Sequence, residues 1–328
     1  MPERVLVTGA TGFVGSHIAR TLAKAGREVL CGVRSTSDTR WIDDLATERV
    51  RFDLDSQRGL VEAMRGVQVI VHAAGLTRSG RASDYHSVNA EGTRRLAGAA
   101  AAARVRRFVL ISSLAARGPD ASAKAGGDHP VSDYGRSKLA AETYLRDLEG
   151  VLDAIVLRPT AVYGPRDRDF LPLFRLALAG LLFVPGSAGL LQPVYVDDVA
   201  RAALAATGEA DVGFGPFPVA GAQIYAWQDV VTGLEEALGR HVRVVRLPAA
   251  AFLLAGGASE RVAKVRGRAA LFDERRARDL AVHAWTCEVS GTEEALGWRA
   301  EVPIFEGLHR TARWYLQAGW LGVKRDEH

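Results

Sequence analysis

The chain has 328 residues, 48% of them hydrophobic, and a net charge of +4 from 42 basic and 38 acidic residues. That composition suits a compact protein with a sizeable core, as one large domain or a large one with a smaller partner. The basic excess is small and spread out, and the runs "RVRRF" and "ERRAR" read as solvated faces, which argues against nucleic acid as the main partner.

The predicted elements alternate through the first half. "RVLVTG" reads as a buried strand, entered almost at once, so no signal peptide is expected. "FVGSHIARTLAKAG" reads as a helix closed by glycine, and "REVLCGVR" and "RVRFDL" as the second and third strands. "SQRGLVEAMRG" is a helix, "VQVIVHAAG" the fourth strand, and "SDYHSVNAEGTRRLAGAAAAA" one long helix. "RRFVLISS" is the fifth strand, "SDYGRSKLAAETYLRDLEG" a helix, and "LDAIVLRP" the sixth strand. Strands alternating with helices imply an α/β fold with a doubly wound parallel sheet. After about residue 165 the pattern loosens into shorter helices and loops, with late strands such as "HVRVVRL". Residues 1–165 therefore read as one domain and 166–328 as a smaller one, partly interleaved with it. The apolar stretch "LPAAAFLLAGGA" is too short to span a bilayer, so a cytoplasmic protein without a membrane partner is expected. Cys31 and Cys287 have neither metal-type nor redox-type spacing. They read as small hydrophobes of a reduced compartment, with no metal site.

Chemistry concentrates in a few short stretches. In "TGATGFVG", Gly9, Gly12 and Gly15 lie between a strand and a helix. Gly9 permits a tight turn, Gly12 lets the backbone approach a pyrophosphate, and Gly15 lets the helix pack on the strand. The second strand ends at Arg34, where NAD sites tend to carry an acid. Arginine can fork onto a 2′-phosphate, which favours NADP(H) while leaving NAD(H) open. Asp53 and Leu54 end the third strand where an adenine ring would lie. Ala73 and Ala74, in "HAAG", are small where bulk would block a cofactor. His72 beside them reads as structural.

"DYGRSK" places Tyr134 four residues before Lys138, on one face of a helix. A chain with seven tyrosines and few lysines would show that spacing by chance roughly one time in ten. A lysine ammonium one turn away favours a phenolate, which suits acid–base work at neutral pH.

These motifs together resemble the extended short-chain dehydrogenase/reductase family over nearly the whole chain. The resemblance rests on "TGATGFVG", "DL" at 53–54, "HAAG", "NAEGT", "ISS", "YGRSK", "RPTAVYGP", "VYVDDVA" and a late "LGW". It implies a Rossmann-type domain, a nicotinamide cofactor and a Ser–Tyr–Lys site made of Ser113, Tyr134 and Lys138, with Ser112 as the alternative serine. It also implies cofactor contacts from Thr11, Phe13 and Val14 in the glycine turn and from Pro159 after the sixth strand, besides Tyr134 and Lys138. A homodimer built on helices around 83–102 and 132–149 is implied in the same way.

The family contains reductases, hydroxysteroid dehydrogenases and nucleotide-sugar epimerases and dehydratases. Nucleotide-sugar members often carry an asparagine at the place of Ala161 and an arginine near Leu191. Leu114 and Ala115 follow Ser113, where sugar dehydratases carry an extra acid–base pair. These departures favour an apolar ketone, aldehyde or secondary alcohol as the small-molecule substrate, steroid-like or aromatic. Arg166 and Arg168 run the other way, since either could hold a phosphate or carboxylate. A nucleotide-sugar epimerase with bound NAD is the alternative, and a non-catalytic nucleotide sensor a second. The polar stretch "LAARGPDASAKAGGDHP" between Ser113 and Tyr134 is expected to border the substrate as a lid.

Overall fold

The computed structural model describes residues 2–54, 57–119, 127–186, 189–208, 212–248, 250–251, 254, 257 and 284–322. "ERRAR" and half of "LPAAAFLLAGGA" lie outside the described residues, as do 120–126 of the expected lid. Backbone contacts divide the chain into two compact units. The first comprises Met1–Thr160, Val196–Ala220 and Cys287–Ala300, the second Ala161–Tyr195, Gly221–Thr286 and Glu301–His328.

The first unit is built on a seven-stranded sheet in which every described pairing is parallel. Strand β1 (Arg4–Thr8) leads into helix α1 (Phe13–Lys24), and β2 (Glu28–Val33) lies beside β3 (Glu48–Arg51) at one edge. Helix α2 (Gln57–Ala63), β4 (Val69–His72), the short α3 (Ala82–Tyr85), α4 (Gly92–Ala102) and β5 (Arg107–Ile111) follow. Helix α5 (Asp133–Arg146) and β6 (Asp153–Pro159) complete the alternating part. The central strands β4 and β5 are buried at every position, as continuous apolar runs covered on both faces must be. Leu6, Ile70, Phe108 and Val156 of the sheet pack with Leu96, Ala97 and Ala100 of α4 and Ala141 and Leu145 of α5. Full burial of each large apolar side chain is worth ~1.5–3 kcal/mol.

Sheet order runs β3, β2, β1, β4, β5, β6. Chain direction across the sheet therefore reverses between β1 and β4, and their carboxyl ends open the crevice where such sheets bind ligands. The seventh strand, Phe217–Val219 beside β6, went unread in the sequence because "FGPFPV" is broken by Gly and Pro. Pro218 is tolerated there because an edge strand has a free side.

The long helix expected from residue 83 is interrupted. Residues His86–Glu91 form a π turn between α3 and α4. It coincides with Asn89, which is buried and hydrogen-bonds Leu76 through its backbone N–H (2.7 Å) and carbonyl (3.0 Å). Asn89 also donates to Ser137 Oγ on α5 at 3.0 Å. Such insertions bulge a helix and are frequent at functional sites. Cys31 is buried in β2, and burial pushes its thiol above the ordinary range, so it is inert. Among the described residues no helix is long and apolar enough to cross a membrane.

The second unit has its own core. Helices Trp227–Leu238 and Ile304–Gln317 pack with Leu171–Leu178, and Arg243–Leu247 pairs in parallel with Leu181–Pro185. Tyr163, Phe174 and Tyr315 are fully buried there. Arg168, considered above as an anion holder, instead lies over the Trp320 ring at 5.0 Å. A Cβ on Gly307 would overlap the Tyr163 hydroxyl, a rigid neighbour. Gly307→Ala should therefore cost ~1–3 kcal/mol by overpacking. The check is thermal unfolding, with Tm falling by about 2–4 °C per kcal/mol; an unchanged Tm would show that the Tyr163 ring yields freely.

Candidate active site

The glycine turn after β1 is shaped by close approach. Gly9 has φ +70°, and a Cβ there would lie 2.6 Å from Ala74 N and 2.7 Å from the Ala73 carbonyl carbon. A Cβ on Gly15 would overlap the Gly9 carbonyl. These contacts draw the ends of β1, α1 and β4 together. Gly12 stands before α1 with no side-chain cap, and no acid occupies the first helical turn. A Cβ on Gly12 would meet only the Gly9 carbonyl, at 3.2 Å. The result is a clear cradle at a helix N-terminus, which fits the pyrophosphate of a dinucleotide. Thr11, Phe13 and Val14 are half-buried around it. Phe13 sets its ring edge-on to His17 at 6.0 Å, and His17 Nδ1 pairs with Asp197 Oδ1 at 2.7 Å.

His72 closes β4 beneath this turn and is fully buried. Its Nδ1 lies 2.6 Å from Thr8 Oγ1 and its Nε2 3.0 Å from Thr93 Oγ1. Thr93 has one hydroxyl proton, which goes to the Asn89 carbonyl at 2.6 Å. Nε2 must then donate to Thr93, and Nδ1 accepts from Thr8. Burial, aided by the nearby Lys138 charge, pushes the imidazole down to about 3. A neutral, doubly hydrogen-bonded ring is a brace for the glycine turn.

The "ISS" and "DYGRSK" residues meet at the carboxyl end of β5. Lys138 is 5% exposed, and its Nζ donates to the Ile111 carbonyl at 2.7 Å. A Cβ on Gly75 would lie 3.9 Å from the same Nζ, so the ammonium stands between the ends of β4 and β5. Burial lowers its pKa to about 8, against an opposing pull from the Glu142 carboxylate. Ser112 and Ser113 part company here. Ser112 is buried, and its hydroxyl donates to Glu142 Oε1. Ser113 is half-buried; its Oγ accepts from Ala115 N at 3.2 Å and keeps its own proton to give. Tyr134 is half-buried in the first turn of α5, capped by Ser132. Its ring sits edge-on to Tyr85 at 6.2 Å. Pro159 ends β6, in the strand next to β5.

A cleft of about 510 Å³ opens where β2 ends. Arg34, Ser35 and Ser37 line it from β2 and the turn beyond, and Arg49 and Arg51 from β3. Arg49 and Arg51 are two apart and so share a face of the edge strand, with Val33 beside Arg51. Arg34 N–H donates to Ser37 Oγ at 2.9 Å, closing the turn and leaving the exposed Arg34 side chain over the cleft. Arg49 is paired with Asp43 at 2.7 Å. Among the described residues no carboxylate lines the cleft, whose charged lining is Arg34, Arg49 and Arg51. Asp53 is exposed just past β3, and Leu54 is half-buried, 3.2 Å from where a Gly92 Cβ would be. Asp53 and Leu54 thus lie beyond the same strand end but outside the cleft lining.

Several residues of this site escaped the sequence reading. Asn89 lies inside the "NAEGT" motif and the expected long helix, with no separate role read for it. Glu142 repeats the four-residue spacing once more after Lys138, and Arg51 repeats the strand period after Arg49. Asp128 and Arg158 carry no local signal, since the fold alone unites them. Among the described residues, no group of three or more His, Cys, Asp or Glu could hold a metal ion.

The sequence model of the NAD dependent epimerase/dehydratase family matches residues 5–217. The ceramide reductase of Caulobacter vibrioides is 32% identical over 97% of this chain and 96% of its own. The human 3 beta-hydroxysteroid dehydrogenase type 7 is 32% identical over 60% of each chain. Among solved structures, the UDP-glucose 4-epimerase of Thermus thermophilus in complex with NAD superposes with a TM-score of 0.74 at 26% identity, over 96% of this chain and 99% of that one. The chain therefore belongs to the NAD-dependent epimerase/dehydratase family, within the extended short-chain dehydrogenases/reductases. It is a nicotinamide-dependent enzyme.

The His72 brace makes a direct prediction. The folded protein holds His72 neutral down to about 3, whereas the unfolded chain takes up a proton below about 6.5. Stability should therefore fall as pH drops from about 6.5 toward 3, by up to ~1.4 kcal/mol per unit from this group. Imidazole ¹⁵N spectra should show His72 neutral at pH 5 with the proton on Nε2; a charged ring there would remove the brace.

Proposed function

We propose that this enzyme runs on NADP(H) and exchanges a hydride with the carbonyl or alcohol carbon of an apolar substrate. The observation that carries the reading is the buried Lys138 ammonium on the Ile111 carbonyl, two residues before Ser113 and one helical turn beyond Tyr134, near Gly75 at the strand ends that also bear the glycine turn. When bound, the nicotinamide supplies or accepts the hydride. Gly9, Gly12 and Gly15, with Thr11, Phe13 and Val14, would hold the pyrophosphate. Ala73, Ala74 and Pro159 would line the cofactor's path, with Asp53 and Leu54 near the adenine. Ser113 holds the substrate oxygen, because the Ser112 proton is already given to Glu142. In reduction the Tyr134 hydroxyl passes its proton to that oxygen. Lys138 gives one of its three N–H groups to Ile111, and the other two would serve the cofactor ribose and the tyrosine when the cofactor is bound.

The cationic cleft supports NADP(H) over NAD(H). A 2′-phosphate placed there would meet Arg34 and Arg51, both of which line the cleft. Apolar Ala161 and Leu191, and the stacked Arg168, support a substrate without a sugar nucleotide. The named substrates of the ceramide reductase and the steroid dehydrogenase point the same way. The protein is proposed to work in the cytoplasm, as a homodimer through α4 and α5; a monomer by light scattering would remove the dimer.

The test is a panel of lipid-like ketones and UDP-hexoses followed by absorbance of the reduced cofactor. Net NADPH oxidation with ketones is expected. UDP-hexose conversion without net oxidation would establish the epimerase instead. Arg34→Ala should raise KM for NADPH at least ~10-fold and leave NADH nearly unchanged, as loss of a charged fork requires. Equal effects on both cofactors would sink the NADP(H) preference. Tyr134→Phe should lower kcat by ~10²–10⁴ and still bind cofactor; an active variant would refute the proton donor.

A further inference from the structure

Beneath the serine and the tyrosine lies a charge network that the proposed chemistry does not itself use. Arg158 in β6 is 4% exposed. Its Nε sits 3.1 Å from both Glu142 oxygens, and its Nη2 donates to Glu142 Oε2 at 2.5 Å. The far edge of the same guanidinium forks onto Asp128, Nη1 to Oδ1 and Nη2 to Oδ2, both at 2.7 Å. Burial pulls Arg158 down, but the two carboxylates outweigh it and hold the group above its ordinary range. Glu142 lies one helical turn beyond Lys138 and two beyond Tyr134 on α5. Ser112, next to Ser113, donates to that same Glu142. One guanidinium thus joins the β6 strand, the middle of α5, the serine pair and the segment at Asp128.

The segment at Asp128 leads directly into Tyr134. His129 N–H donates to the Arg117 carbonyl at 2.7 Å. Pro130 Cβ lies 3.1 Å from where a Gly135 Cβ would be, and that Cβ would also overlap the Ala115 carbonyl. His129 and Pro130 therefore pack between the turn after Ser113 and the start of α5. The fork from Arg158 ties this segment to β6 as well. Stability does not require such an arrangement, since buried ion pairs are often matched by apolar packing of equal volume. A rigid two-sided fork does supply geometry.

We propose that the Asp128–Arg158–Glu142 clamp is a positioning device for the catalytic groups, with Asp128 holding the approach to Tyr134 at its working height over Ser113. The proposal rests on the proton-donor role of Tyr134. Asp128 is 31% exposed at its side chain, so its replacement leaves the buried Arg158–Glu142 pair intact. Neither Asp128 nor Arg158 touches the cofactor cradle in this account.

Asp128→Ala, Asp128→Asn and the conservative Asp128→Glu should be compared in the full chain. The alanine variant should lose ~10–100-fold in kcat for ketone reduction, the scale of an ångström-sized misplacement. NADPH affinity by fluorescence titration should hold within about twofold. Asp128→Asn should fall between, and Asp128→Glu should recover most of the rate. Hydrogen exchange, which needs no substrate, should rise in 129–138 and stay unchanged in α1. A lowered Tm with kcat and exchange unaltered would overturn the proposal and leave the clamp purely structural. Parallel loss of kcat and NADPH affinity would overturn it too, by showing a general collapse of the site. Should the wild type reduce no ketone, faster exchange at 129–138 would uphold the clamp while the redox reading fails; unchanged exchange would end both.

Discussion

The site depends on one ammonium kept out of water. Lys138 is buried at the end of β5, and the hydrogen bond to the Ile111 carbonyl is what makes that burial tolerable. Its desolvation lowers the pKa from 10.5 to about 8, which still leaves it charged at neutral pH. The unfolded chain binds this proton more tightly, so the burial penalty is fully present below about 8 and relaxes as pH climbs toward 10.5. A fold that carries such a penalty must gain elsewhere, and the continuous apolar strands around it supply that gain. The cation in turn helps keep His72 neutral, since two adjacent buried charges of one sign would repel. The brace under the glycine turn and the proposed proton donor are thus set by the same group.

Topology explains why these residues meet. Reversal of strand order between β1 and β4 brings Gly9 against Ala73 and Ala74, and Lys138 near Gly75. The arginine cleft lies at the outer edge of the same sheet, past β2 and β3. Cradle, cation and arginine cleft are therefore spread along one edge of strand ends, the order in which a dinucleotide presents its phosphates and its two ends. Other members of the family use this frame for sugar nucleotides, so the frame does not select the substrate.

Much of this was legible in the sequence because the signals are local. Glycines three apart between a strand and a helix, small residues after β4, and a tyrosine four before a lysine each report a close approach within a few residues. What stayed hidden depends on distant segments. The π turn at His86–Glu91 coincides with Asn89, whose partners Leu76 and Ser137 lie outside the helix. The seventh strand needed β6 as a template, since "FPV" has no period of its own. The hydrogen bond that occupies the Ser112 proton goes to Glu142, thirty residues away. Arg51 joined Arg34 only because β3 lies beside β2.

The claim that Lys138 is a buried, acid-shifted ammonium can be read directly, because the chain has only five lysines. Protein labelled with ¹³C at lysine Cε should show one signal with a midpoint of about 8, and that signal should vanish in Lys138→Met. If no lysine signal titrates below about 9.5, the ammonium is solvated and the account of the site fails at its centre.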